Sequence, residues 1–386
     1  MTARFVVRRV IACSPESLWP LITDPDHMNR WSTAAITAKA RGAAERVDAV
    51  GALRVVDLPN RMGRLHEVVE YSQYPRVFRY RVFDGGPLLV AHCGEQRIAG
   101  HPDGCELIWT VEIKLVSRLA SYALAHVICK QVRESVELMA EIAAIDPPSS
   151  ADGPPAFNPS PVARHTLSDL IAAAQRCRDD QQSTADRLAA AADPKQWFAR
   201  VYQYVTEEMI SAAAGDTPLV LDNPDWVLTL IPTFHEYFRR NLDSYERGGP
   251  TEDAWQLAWS TCERHDPNKP FVPVMKGLIA GVSAHIDADL PRALADVARE
   301  HYLERDLREF RPDYLRLGPI FMTAADKLLA DLPRNHKPWW MPLANRVHPQ
   351  LRDALVSKRG YQVGRHRLDA FARAIETVHS PAEHTA

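Results

Sequence analysis

The chain has 386 residues, 46% hydrophobic and 25% charged, a composition typical of globular proteins and unlike that of disordered, collagenous or coiled-coil chains. This length favours two domains, since single domains usually contain about 100–200 residues. The 46 Lys and Arg residues nearly balance the 49 Asp and Glu residues, giving a formal net charge of −3, so a nucleic-acid partner is not expected.

The first elements predicted along the chain are a strand and two short helices. Residues 4–12 are rich in Val and Ile, which favours a strand. Ser14 then supplies an N-cap, and Pro15 occupies a first-turn position where a missing N–H costs little. An Asp-Pro pair ends this helix, and a second short helix is predicted to end at Trp31.

An antiparallel meander and one long helix are predicted next. Alternation of apolar and polar residues predicts strands near residues 33–40, 51–58, 64–72, 76–84, 87–98 and 105–116. Residues 117–145 predict a helix whose apolar stripe contains Leu119, Tyr122, His126, Cys129, Val132, Val136 and Met139. The predicted fold class of this half is α+β helix-grip, an antiparallel sheet wrapped on a long C-terminal helix. Such an arrangement is suited to holding an apolar ligand between sheet and helix.

Residues 4–31, RFVVRRVIACSPESLWPLITDPDHMNRW, resemble the opening of the START-like (SRPBCC) superfamily. The Ser-Pro-Glu-x-x-Trp step, the Asp-Pro pair and Trp31 carry this resemblance, and the strand GCELIWTVEI before the long helix extends it. The superfamily includes polyketide cyclases, aromatases and lipid-transfer domains. The resemblance covers about residues 1–145 and implies either an enzyme that acts on a hydrophobic small molecule or a carrier of one.

Candidate site residues follow from the predicted cavity. The candidate acid–base residues are His66, His92 and His126. The predicted cavity-lining residues are Trp31, Trp109, Tyr122 and Cys129. Arg79 and Arg81 are predicted to face outward, because they alternate with apolar residues in RVFRYRVF. His126 has an alternative interpretation as a wall residue of the helix stripe.

A Pro-rich segment separates the two halves. Residues 146–161 contain six prolines, a density that is incompatible with the interior of a helix or central strand and that favours an extended linker. The predicted domains are a START-like helix-grip domain over 1–145, a linker over 146–163 and an all-helical domain over 164–386. Helices are predicted near 164–178, 180–192, 195–214, 224–246, 251–264, 271–286, 290–308, 312–331, 339–357 and 365–379.

The helical half offers one candidate metal site. His285 and Asp289 are spaced i, i+4, and His235 is predicted to point inward from another helix, so the three could bind a divalent metal, with Glu208 or Asp326 completing the set. The alternative is a structural polar cluster, in which Asp289 caps the helix that begins at Leu290.

The segments VYQYVTEEMI and GLIAGVSAHIDADLPRAL resemble a bacterial all-helical family whose function is unknown. The resemblance implies that His285 and Asp289 belong to that family's characteristic motif, and it implies no reaction.

The N-terminus and the cysteines predict a cytoplasmic location. Charged residues interrupt the only apolar stretch near the N-terminus, which argues against a signal peptide, and no run of about 18 apolar residues predicts a membrane span. The six cysteines are widely spaced and include no CxxC pair, as is typical of reduced thiols.

Three functions therefore remain open. The first is a cyclase- or dehydratase-like enzyme acting on a hydrophobic small molecule in the helix-grip cavity. The second is a non-catalytic carrier of a lipid-like ligand, and the third is a metal-dependent enzyme with its site in the helical domain. The expected partner is a hydrophobic small molecule, and the only cofactor candidate is a divalent metal in the helical domain.

Overall fold

The computed structural model of the protein describes residues 2–59, 63–149, 165–264, 266, 271–333 and 362–379. The chain divides into two compact units, residues 1–159 and 160–386. Most of the predicted linker and all of the predicted helix 339–357 lie outside the described residues, so their boundaries stay predictions.

The first unit contains a seven-stranded antiparallel sheet in the order β1-β7-β6-β5-β4-β3-β2. The strands are β1 (Ala3–Ile11), β2 (Ala35–Ala40), β3 (Leu53–Asp57), β4 (Arg64–Gln73), β5 (Val77–Asp84), β6 (Leu89–His101) and β7 (Gly104–Leu115). Strands β2 to β7 form a meander, and β7 then pairs with β1 from the start of the chain. The predicted strands are present, with ends shifted by a few residues.

Three helices accompany this sheet: α1 (Pro15–Thr23), α2 (Pro25–Met28) and α3 (Arg118–Ile145). The Ser14 hydroxyl caps α1 by accepting from the Ser17 N–H, as the sequence predicts. Helix α3 packs against β1 and β7, and α1 packs against β6, so both lie on one face of the sheet. The predicted helix-grip fold is confirmed.

The predicted apolar stripe of α3 is wrong over its first two turns. Ser121 and Ala125 face the sheet, whereas Leu119, Tyr122 and His126 are exposed. The Ser121 hydroxyl binds the backbone of both Leu115 and Ser117, at 2.9 Å each, which fixes the start of the helix close to the sheet. Small side chains permit this close approach, so the larger residues turn outward. Farther along, Val132, Val136 and Met139 are buried as predicted.

The second unit is helical throughout its described residues, which confirms the predicted all-α domain. Its helices are α4 (Leu167–Ala190), α5 (Gln196–Ala214), α6 (Pro224–Glu246), α7 (Asp253–Cys262), α8 (Phe271–Ser283), α9 (Leu290–His301), α10 (Arg311–Arg316), α11 (Gly318–Asp331) and α12 (Val363–His379). Two predicted helices, 164–178 and 180–192, are the single helix α4, because no Gly or Pro interrupts it. In the described part of the chain no helix is long and apolar enough to cross a membrane.

A π-helical segment, Ala284–Asp289, joins α8 to α9. Pro291 has no N–H, and in an α-helix its ring would clash with the carbonyl four residues earlier. The helical turn therefore widens by one residue, to the hydrogen-bond spacing of a π-helix, and the helix continues. The Leu290 N–H accordingly bonds the carbonyl of His285, five residues back. Helix α9 begins at Leu290 with Asp289 directly before it, as the alternative prediction has it, but the Asp289 side chain makes no capping hydrogen bond. That side chain instead bonds Trp255, His285 and Arg292, as a structural polar cluster would.

Candidate functional site

The concave face of the sheet carries several buried polar side chains. Phe78, Tyr80 and Val82 of β5 are buried, whereas the intervening Arg79 and Arg81 form ion pairs on the outer face, as predicted. Paired residues on neighbouring strands point to the same face of the sheet. The strand register therefore shows which residues of β3, β4, β6 and β7 share the inner face with the buried residues of β5. The inner polar cluster consists of Arg54, Glu67, Tyr80, His92, Gln96 and Trp109.

A buried ion pair lies at the β3–β4 side of the inner polar cluster. Arg54 and Glu67 are cross-strand partners, and the Arg54 guanidinium donates to Glu67 Oε2 at 3.0 Å. The guanidinium carbon also lies 5.0 Å from the ring centroid of Phe78 and 5.4 Å from that of Tyr80. Burial raises the pKa of Glu67, and the Arg54 charge opposes this rise. These charges lie in apolar surroundings, where their field is weakly screened.

Three buried polar atoms of the inner polar cluster have no hydrogen-bond partner among the described residues. They are Arg54 Nε and both amide atoms of Gln96. Gln96 is 1% exposed and lies opposite Trp109 in the register. Each unpaired buried polar group costs roughly 1–3 kcal/mol, so their grouping on one face calls for an explanation, and a bound molecule supplying the missing partners is one.

His92 lies deep in the inner polar cluster. It pairs across the sheet with Val82 and Ile113, and its ring centroid is 6.2 Å from that of Tyr80. Burial lowers the pKa of His92 to about 4, so the imidazole is neutral at neutral pH and has one nitrogen able to accept a proton. Tyr80 lies over Gly94, where an added Cβ would come within 2.3 Å of the phenol ring. Glycine at this position therefore makes room for Tyr80.

The stability of the helix-grip domain is expected to fall as the pH drops from about 6.5 to about 4, and His92 accounts for part of this loss. Its pKa is about 4 in the folded state against 6.5 in the unfolded chain, so the unfolded state binds the proton first. The contribution, about 3 kcal/mol, is fully present above pH 6.5 and is lost as the pH falls through the folded-state pKa.

The measurement is urea unfolding across this pH range for the wild type and for His92→Leu. The raised pKa of Glu67 acts in the opposite direction, so the difference between the two proteins isolates His92. The exposed His126 provides the control, His126→Gln, which should follow the wild type. Equal pH slopes for the wild type and His92→Leu would contradict the assignment.

Of the predicted acid–base residues, only His92 lies on the concave face. His66 is half-buried, and its ring centroid lies 6.0 Å from that of Phe83 on the outer face of the sheet. His126 is exposed on α3 because of the helix phase described above. The structure therefore places neither His66 nor His126 in the predicted cavity.

Some of the predicted cavity-lining residues lie in the core of the helix-grip domain, and one does not. The rings of Trp31 and Trp109 meet edge to face, with their centroids 6.0 Å apart, and Cys129 packs partly buried against the same core. Tyr122 is 46% exposed and does not line the interior. Arg54, Glu67 and Gln96 were not predicted, because charged and amide side chains in strands usually face solvent.

In the helical domain, His285 and Asp289 form a buried pair. The imidazole Nδ1 lies 2.9 Å from Asp289 Oδ2, and the same oxygen accepts from the Trp255 indole N–H at 3.0 Å. The other carboxylate oxygen accepts from Arg292 at 2.7 Å. Burial lowers the pKa of His285, and Asp289 opposes this change. His285 Nε2 has no hydrogen-bond partner among the described residues.

His235 does not join this pair. Its Nε2 lies 2.9 Å from Asp180 Oδ2, and its Nδ1 lies 3.3 Å from Gln181 Nε2, so other side chains occupy both ring nitrogens. Glu208, a predicted further ligand, pairs with Lys327 at 2.8 Å. Within the described part of the chain, no group of three His, Cys, Asp or Glu side chains could hold a metal ion. The predicted metal set of His235, His285 and Asp289 is therefore not assembled.

Comparison with known families assigns both halves of the chain. The model described as "Family of unknown function (DUF5995)" matches residues 176–385, which is more than half of the chain. The chain belongs to this family. The DUF5995 match contains His235, His285 and Asp289. The model described as "Polyketide cyclase / dehydrase and lipid transport" matches residues 2–143, so the chain joins a START-like N-terminal domain to a DUF5995 domain, and both sequence resemblances are confirmed.

Solved structures similar to the chain cover its N-terminal part. A START superfamily protein from Mycobacterium smegmatis is 16% identical, covering 36% of this chain and 97% of its own, with a TM-score of 0.31. The Zhui aromatase/cyclase from a Streptomyces species is 14% identical, covering 38% of this chain and 98% of its own, with a TM-score of 0.32. No curated protein matches the chain.

Proposed function

We propose that the helix-grip domain binds a hydrophobic, carbonyl-bearing small molecule against its concave face and acts on it as a polyketide cyclase- or dehydratase-like enzyme. The buried Arg54–Glu67 pair, on the same face of the sheet as the unpaired amide of Gln96, is the observation that carries this proposal. A carrier of apolar molecules needs no ionisable pair in its interior, and taking two charges out of water is costly. Such a pair is useful where charge develops during a reaction.

The chemistry that suits these groups is an intramolecular aldol reaction. In the proposed step, neutral His92 accepts the proton from a carbon next to a ketone, and the guanidinium N–H of Arg54 holds the resulting enolate oxygen. The enolate carbon then forms a bond to a second carbonyl carbon of the same molecule. The new alkoxide takes the proton back from His92, and loss of water completes a dehydration. His66 and His126 have no role in this scheme.

A linear poly-β-ketone thioester incubated with the full-length protein tests the reaction. The expected result is conversion to a cyclised product, detected by mass spectrometry as an isomer of the substrate or as the isomer minus one water. His92→Leu should abolish conversion, whereas His126→Gln should leave it unchanged. Substrate that binds without conversion would overturn the catalytic proposal and favour the carrier alternative, which the lipid-transport part of the family description also allows.

Gln96→Leu is expected to stabilise the helix-grip domain while weakening ligand binding. Leucine has a similar volume and removes two unpaired buried atoms, so the free energy of unfolding should rise by roughly 1–2 kcal/mol. The measurement is urea unfolding followed by the fluorescence of the full chain, with Gln73→Leu, at an exposed end of β4, as the control. A destabilised Gln96→Leu variant would mean that the amide has partners in the ligand-free protein.

A further inference from the structure

Two cysteines, Cys13 and Cys105, are neighbours at one end of the sheet in the helix-grip domain. Strand β1 ends at Ile11, which is the cross-strand partner of Cys105 near the start of β7. The chain then turns, and the Cys13 N–H bonds the Ile11 carbonyl at 2.9 Å, so Cys13 stays beside the start of β7. Both side chains are free thiols, they pack in the same apolar core, and they are hydrogen-bonded to each other.

Gly104 makes this close approach possible. Its φ of +133° lies in the region that favours glycine. A Cβ at this position would lie 2.3 Å from the Ile11 carbonyl oxygen and 3.0 Å from the Cys13 backbone nitrogen. The start of β7 therefore lies directly against the turn that carries Cys13, and strand pairing together with this turn holds the two thiols in contact.

The two thiols differ in exposure and in acidity. Cys13 is half-buried, whereas Cys105 is 0% exposed. Their hydrogen bond lowers the pKa of Cys13, although burial opposes this change, and the same bond together with burial raises the pKa of Cys105. Cys13 thus combines access from solvent, a stabilised thiolate and a neighbouring second thiol, which are the features of cysteines that respond to oxidants.

The other thiols with a shifted pKa are less acidic than Cys13. Burial raises the pKa of Cys93 to about 11, that of Cys177 to about 11 and that of Cys262 to about 12. Since the thiolate is the form that reacts, these three thiols should react slowly at neutral pH. Cys93, which lies in the same domain as Cys13 and is also half-buried, is therefore a suitable reference.

We propose that Cys13 is a site of modification by hydroperoxides, and that Cys105 completes the reaction by forming a Cys13–Cys105 disulfide. In the first step the Cys13 sulfur attacks a peroxide oxygen and the O–O bond breaks. Cys13 is oxidised to a sulfenic acid, and the peroxide is reduced to an alcohol or water that takes up the proton lost by Cys13. This proposal does not depend on the function proposed for the helix-grip domain.

In the second step the Cys105 sulfur attacks the Cys13 sulfur and loses its proton. The S–S bond forms, the S–O bond of the sulfenic acid breaks, and the hydroxide leaves with that proton as water. The pairing of β1 with β7 already holds the two segments together, so the sulfurs need only a short movement from hydrogen-bond contact to a bond of about 2.0 Å.

Hydrogen peroxide added in equimolar amount to the reduced full-length protein at neutral pH tests the proposal. The remaining thiols are alkylated, and the protein is digested without reductant and analysed by mass spectrometry. The expected product is a pair of peptides linked through Cys13 and Cys105, two hydrogens lighter than the free peptides and separated again by dithiothreitol. Cys93→Ser is the matched control and should form the link like the wild type.

Two further measurements separate the two steps. Alkylation of the reduced wild type by iodoacetamide should be at least about tenfold faster at Cys13 than at Cys93, because of the difference in pKa. Cys13→Ser should fold normally, since the side chain is half-buried and of similar size, and it should give neither the link nor a sulfenic acid on Cys105.

Three results would overturn the proposal. The first is a wild-type protein in which peroxide leaves Cys13 and Cys105 as free thiols. The second is oxidation or alkylation of Cys93 as fast as that of Cys13. The third is oxidation of Cys13 to sulfinic acid without the link, which would show that Cys105 does not reach it.

Discussion

Replacement of Arg54 by Met is expected to destabilise the helix-grip domain by roughly 3–5 kcal/mol at neutral pH. Glu67 is only 6% exposed, and among the described residues Arg54 is its one ion-pair partner, so removing the guanidinium leaves a buried carboxylate without a counter-charge. The carboxyl can escape this cost by taking up a proton, and burial already raises its pKa. The destabilisation should therefore shrink as the pH falls, which a simple loss of packing would not do.

The double variant Arg54→Met/Glu67→Leu provides the matched control. Replacing both members of a buried ion pair by apolar residues of similar size is often neutral or stabilising, so the double variant should recover most of the stability lost by Arg54→Met. Urea unfolding of the full-length proteins at neutral and acidic pH measures both effects. A double variant as unstable as Arg54→Met would show that packing of Arg54 on Phe78 and Tyr80 outweighs the charge.

Asp289→Ala is expected to destabilise the DUF5995 domain by roughly 3–5 kcal/mol, because it leaves the N–H groups of Trp255 and His285 buried without an acceptor. Asp289→Asn should cost far less, about 1 kcal/mol. A single oxygen, Oδ2, accepts from both buried donors, and an amide oxygen can replace it. Arg292 is 39% exposed on its side chain and also bonds Glu252, so it tolerates the loss of the second oxygen.

Thermal or urea unfolding of the two Asp289 variants and the wild type measures this difference. The pair is informative because alanine and asparagine remove the same charge, so a purely electrostatic role for Asp289 predicts similar losses. Equal destabilisation by the two substitutions would contradict the hydrogen-bond account.

The sequence pattern predicts most of the helix-grip topology, because each strand has its own alternation and each turn its own Gly or Pro. It fails at the start of α3, where hydrophobic size suggests that Leu119 and Tyr122 face inward. Close approach to the sheet favours Ser121 and Ala125 instead. Which side chains face inward over these two turns depends on how closely the helix approaches the sheet. The periodicity of the local sequence carries no information about that distance.

The site was harder to predict than the fold. Arg54 lies two residues from the buried Val56 on the same strand, and this alternation indicates that Arg54 also faces inward. Its partner Glu67 lies on the next strand, so the pair can be identified only when the register of the two strands is known. The i, i+4 spacing correctly placed His285 beside Asp289. It could not show that Asp180 and Gln181 occupy His235, since those contacts join residues more than 50 positions apart.

The central claim, that the concave face of the helix-grip domain is a ligand site, is tested most directly by mass spectrometry of small molecules extracted from native full-length protein. The wild type and Gln96→Leu are expressed and purified in parallel without organic solvent. The prediction is a hydrophobic, carbonyl-bearing compound that accompanies the wild type and is absent from, or strongly reduced in, the variant. A wild-type protein without such a compound, or equal amounts in both preparations, would contradict the claim.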